Sequence, residues 1–123
     1  MIPLGANIGR RSAGYLVLSL FVGFGLFGLS STTEAQECGK IHEVIVTHVF
    51  TPKALVLEVG DCIRFVNIHD IEHSAVALDR TFNTGTLMPR SSSLIRFDTP
   101  GELPYWCGLH PPMIGTVIVK PKP

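Results

Sequence analysis

The sequence predicts an all-β fold, a sandwich of about seven or eight short strands. Three observations carry this reading. Residues 43 to 119 consist of short runs rich in Val, Ile and Leu, broken by turn residues. Within that stretch the glycines and prolines fall largely between those runs. Apart from the N-terminal apolar segment, no stretch has the length and 3.6-residue period of an amphipathic helix.

Taken in order, Val44-Ile45-Val46 opens the series and Leu55 to Val59 follows. Gly60-Asp61 turns into Ile63 to Val66, which Asn67 closes. Ser74 to Leu78 is a further apolar run. Asp79 to Ser93 is polar, with Gly85 and Pro89, and reads as a long loop holding one irregular strand. Leu94 to Phe97 alternates, Thr99-Pro100-Gly101 turns, and Tyr105-Trp106-Cys107 leads into a loop that ends at the closing strand, Ile114 to Val119. Trp106 is expected to pack in the core beside that loop.

At 123 residues the chain has room for one modest domain. Residues 1–35 differ from the rest: Arg10 and Arg11 precede an apolar run from Tyr15 to Leu29, and small residues near Ala35 suit cleavage. They read as an export signal, with an uncleaved membrane anchor as the alternative. Residues 36–123 then form the working domain, and the expected location is periplasmic or otherwise exported. Without Arg10, Arg11 and Glu34, eight basic and nine acidic residues leave a net charge of −1. No basic stripe with interleaved aromatics is present, so nucleic acid is excluded as a partner.

The chemistry concentrates in Tyr105-Trp106-Cys107-Gly108-Leu109-His110-Pro111-Pro112-Met113. Cys107, His110 and Met113 offer a thiolate, an imidazole and a thioether, a soft set that suits copper cycling between two oxidation states. A second imidazole would complete the set. His73 lies past the strand end at Asn67 and just before Ser74 to Leu78, so a sandwich brings it to the pole where the loop after Cys107 lies. His69, four residues earlier, is the competing candidate. Pro111 and Pro112 stiffen the loop. The His110 edge, extended by Met88 and Pro89, is expected to form an apolar docking patch. His42 and His48 read as surface or partly buried histidines.

These segments resemble the blue copper proteins, the cupredoxins, and most closely the plastocyanin and amicyanin group. The likeness spans nearly all of residues 36–123. It runs through Phe50-Thr51-Pro52, Val59-Gly60-Asp61-Cys62-Ile63-Arg64-Phe65-Val66-Asn67 and His73, then Phe97 to Gly101 and Tyr105 to Gly115. The spacing of Cys107, His110 and Met113 is similar to the short amicyanin-type ligand loop. The resemblance implies a Greek-key cupredoxin sandwich with one mononuclear type 1 copper, His73, Cys107 and His110 equatorial and Met113 axial. It also implies a monomeric electron carrier, not an enzyme, that exchanges electrons with a donor and an acceptor protein docking near His110. A copper carrier or chaperone and an accessory domain of a copper oxidoreductase are the alternatives. The family often has Pro before and Asn after the first His ligand, where this chain has Glu72 and Ser74. Residue 74 is expected to hydrogen-bond around the Cys107 sulfur and tune the site. Cys38 and Cys62 remain, and either a disulfide between them or free thiols are compatible with the sequence.

Overall fold

A computed structural model describes residues 37–123, all strands, turns and loops with no helix among them. The segment read as an export signal, residues 1–35, lies outside the described residues. Eight strands follow one another: β1 (Ile41–Val46), β2 (Phe50–Thr51), β3 (Ala54–Glu58), β4 (Cys62–Asn67), β5 (Val76–Ala77), β6 (Ser92–Arg96), β7 (Gly101–Trp106) and β8 (Ile114–Lys120). They form two four-stranded sheets, ordered β2-β1-β4-β6 and β3-β8-β7-β5.

Period-two alternation explains how the sheets face each other. Val44 and Val46 of β1, Phe65 of β4, and Val117 and Val119 of β8 are buried, and their neighbours along each strand are more exposed, while at the start of β4 both Cys62 and Ile63 are fully buried. Between the sheets, Phe65, Phe82 and Tyr105 form an aromatic centre, with Tyr105 meeting Phe65 edge-on at a centroid distance of 5.7 Å. Two pairings are parallel, β1 with β4 and β3 with β8. Each needs a crossover, and the chain supplies it by stepping from one sheet to the other between partners.

Two sequence expectations change here. The segment Asp79 to Ser93 contains isolated bridges at Asn83 and Leu87 in place of an irregular strand. Gly101 to Trp106 is a full strand paired on both sides, although Gly101 and Pro104 argue against one. Pro104 is tolerated because its carbonyl accepts the Leu78 N–H at 3.0 Å, a bond that asks no N–H of the proline.

Cys38 and Cys62 form a disulfide, with Cα atoms 5.5 Å apart. The parallel register sets Ile41 beside Cys62, which leaves the chain just before β1 next to the start of β4. Among the described residues no helix is long and apolar enough to cross a membrane.

Candidate metal centre

The site lies where β4, β7 and β8 end or begin at one pole. The loop after β4 is held by Asn67, which is fully buried. Its Nδ2 donates to the carbonyls of Ile71 at 2.9 Å and Leu87 at 2.8 Å, and its Oδ1 accepts the His69 N–H at 2.9 Å. His73 then pairs with Leu87 through its own N–H and carbonyl. A β-bridge on one side and an anchored loop on the other leave this backbone little freedom, and the imidazole is 1% exposed.

The second loop closes on itself. His110 N–H donates to the Cys107 carbonyl at 3.2 Å, Met113 N–H to the His110 carbonyl at 2.9 Å, and Cys107 N–H to the Met113 carbonyl at 3.0 Å. These bonds fold the segment so that Met113, buried, returns beside Cys107, also buried, while His110 stays half-buried at the rim.

His73, Cys107 and His110 present one donor atom each, all within 4.8 Å of one another. Cys107 Sγ lies 3.8 Å from His73 Nδ1 and 3.6 Å from His110 Nδ1. Bond lengths of about 2.3 Å to sulfur and about 2.0 Å to imidazole nitrogen, at angles between tetrahedral and trigonal, set such donors about 3.5–3.8 Å apart. The spacing therefore fits a transition-metal ion held between them. A free thiol converging with two imidazoles in the interior has no packing advantage over apolar side chains. Burial, with His110 and His69 as like-charged neighbours, holds the His73 imidazole below its ordinary pKa. It is thus neutral at physiological pH, with a lone pair available at one ring nitrogen.

His69 does not join this group. Its Nδ1 lies 3.0 Å from His73 Nε2, on the edge of that ring away from Cys107. Ser74 approaches the sulfur through its backbone N–H at 3.4 Å, while its hydroxyl oxygen accepts the Gly108 N–H at 2.9 Å. The groove beside His110 is lined by Met88, Pro89 and Leu109 together with Asp70, Ile71 and Glu72. Met88 and Pro89 therefore extend the apolar rim as the sequence implies, and the acidic flank is added by the folding of the loop before His73. Trp106 does not pack in the core: strand alternation turns Tyr105 inward and leaves Trp106 36% exposed. His48 is exposed, and His42 is half-buried with its Nε2 3.0 Å from Asp61 Oδ2. The contributions of Asn67 and His69 had no sequence signal beyond the closeness of His69 to His73, because both act through loop geometry.

No family model and no curated protein matches the chain. Solved structures do. A purple cupredoxin from Nitrosopumilus maritimus superposes with a TM-score of 0.61 at 21% identity, over 64% of this chain and 99% of that one. This chain has the cupredoxin fold. An oxidised amicyanin variant shares that fold, with a TM-score of 0.60 at 19% identity over 64% of this chain and 81% of its own. A copper-containing nitrite reductase from Thermus scotoductus SA-01 matches at 0.61 and 32% identity over 67% of this chain, which spans 22% of that larger protein. In the cupredoxin fold of this chain, the convergent donors sit on the loops after β4 and between β7 and β8.

Proposed function

We propose that the chain is an exported, monomeric electron-transfer protein with one mononuclear type 1 copper site held by His73, Cys107, His110 and Met113. The observation that carries this is the buried Sγ of Cys107 with an imidazole nitrogen on each side at 3.6 and 3.8 Å. Copper in such a site supplies a one-electron Cu(I)/Cu(II) couple. The residues do the rest. His73 and Cys107, fixed by the β-bridge and the closed loop, keep donor positions nearly constant in both oxidation states. Met113, buried at the end of the same loop, offers the soft fourth donor. His110, at the rim beside Leu109 and Met88, brings the centre to a surface where donor and acceptor proteins dock. A small apolar rim suits a weak, short-lived encounter.

The absence of bond-making chemistry belongs to the same proposal, since four protein donors leave no position for a substrate. Protein-film voltammetry of the copper-loaded residues 36–123 tests it. One reversible one-electron wave per chain is expected. Loss of copper to a Cu(I) chelator on each reduction would instead indicate a carrier that delivers the ion. The 32% identity to nitrite reductase favours a second reading, a redox module serving a larger copper enzyme. That reading predicts tight association with an oxidoreductase, visible as co-elution from the native source.

A further inference from the structure

We propose that His69 is a positioning residue for His73, fixing which ring nitrogen of His73 carries the proton; this rests on the reading of His73 as a metal donor. A neutral imidazole has one N–H and one lone pair. The lone pair that meets the metal must be on Nδ1, the atom facing Cys107 at 3.8 Å. The proton therefore belongs on Nε2, where the His69 Nδ1 stands 3.0 Å away. His69 must accept there, and its own proton is displaced to its Nε2. The ring planes differ by only 15° and the centroids are 5.2 Å apart. With nitrogens 3.0 Å apart, the rings meet edge to edge in nearly one plane, the arrangement in which a lone pair points along an N–H bond.

The loop is built to keep His69 there. Its N–H donates to the Oδ1 of buried Asn67 at 2.9 Å, and its carbonyl accepts from Arg90 Nη1 at 3.2 Å. Arg90 also reaches Asp70 at 3.3 Å and adopts φ of 67°, a conformation that non-glycine residues rarely take. The Arg90 N–H in turn donates to the Asn67 carbonyl at 2.9 Å. Both backbone groups of His69 are thereby hydrogen-bonded to side chains, one of them the fully buried Asn67. Metal-binding histidines commonly depend on such a partner for tautomer and orientation.

The test uses ¹⁵N-imidazole NMR on the metal-free chain in mildly alkaline buffer, where imidazoles are neutral. His73 should appear as the Nε2–H tautomer, with coupling across the hydrogen bond to His69 Nδ1. In His69→Phe the coupling should vanish and the tautomers mix, and copper affinity measured by competition should fall about 10–100-fold. His69→Asn places a carbonyl oxygen near the lost nitrogen and should restore most of both. A proton on His73 Nδ1 in the unmodified chain, or unchanged tautomer and affinity in His69→Phe, would overturn the proposal. Failure of the unmodified chain to bind copper would overturn the metal-site reading, while the metal-free spectrum would still report the tautomer.

Discussion

The backbone N–H of Ser74 donates to the Cys107 sulfur at 3.4 Å, while the Ser74 hydroxyl oxygen accepts the Gly108 N–H at 2.9 Å. Contact with the sulfur thus comes from a main-chain group that any residue except proline supplies at position 74. The side chain has a separate task, tying the loop after β4 to the loop after Cys107. In Ser74→Ala the amide–sulfur contact should survive, and the copper absorption maximum should stay in place. Loss of the bond to the Gly108 N–H, which water can partly replace because Gly108 is exposed, should lower stability by about 1 kcal/mol, read by chemical denaturation of the metal-free protein. A large change in absorption without loss of stability would show that the hydroxyl acts on the metal directly.

Gly115 lies under the Tyr105 ring. A Cβ there would stand 2.5 Å from Tyr105 Cζ, and Tyr105 is buried against Phe50 and Phe65 and cannot retreat freely. Gly115→Ala should therefore destabilise the fold by about 1–3 kcal/mol through overpacking. A midpoint shift in urea with unchanged slope is the expected result.

How much of this was legible in the sequence depended on how local the cause is. The strands at Val44 to Val46 and Ile114 to Val119 were legible as runs of β-branched residues, and the cluster Cys107, His110 and Met113 is compact enough to read in one segment. β7 was legible only at Tyr105 and Trp106, because Pro104 is excused by a carbonyl contact with Leu78 that no local pattern encodes. His73 was preferred over His69 from its place just before the run at Ser74 to Leu78, but that His69 meets the edge of the His73 ring away from Cys107 was not legible. That is set by Asn67 reaching across to Leu87, a contact distant in sequence. The pairing of Cys38 with Cys62 likewise waited on the parallel register of β1 and β4.

That disulfide closes a loop over a sequence separation of 24, which in the chain-entropy view contributes about 3 kcal/mol by restricting the unfolded chain. The double variant Cys38→Ser, Cys62→Ser should lose roughly that stability. Its copper spectrum should be unchanged, since Cys62 begins β4 and the donors lie beyond its far end at Asn67. Denaturation and absorption measured on the same sample check both halves.

Asp61 supplies a pH dependence. Burial alone would raise its pKa, but hydrogen bonds from His42 and from the Glu58 N–H outweigh that and hold it below its ordinary 3.8. A carboxyl depressed in the folded state stabilises the fold above its unfolded pKa, and the contribution is lost as pH falls through the folded value. Stability of the metal-free protein should therefore drop on acidification below pH 3.8, and Asp61→Asn should flatten that part of the profile. An identical acid limb in the variant would remove Asp61 from the explanation.

The proposed function stands or falls on whether His73, Cys107 and His110 enclose one copper ion with Cys107 as thiolate donor. Its most direct measurement is addition of Cu(II) to residues 36–123 with optical and EPR spectra recorded for the unmodified chain and for Cys107→Ala. One copper per chain is expected, with intense thiolate-to-copper absorption that disappears in the variant. Folded, copper-loaded protein without that band, or a Cys107→Ala spectrum identical to the unmodified one, would contradict it.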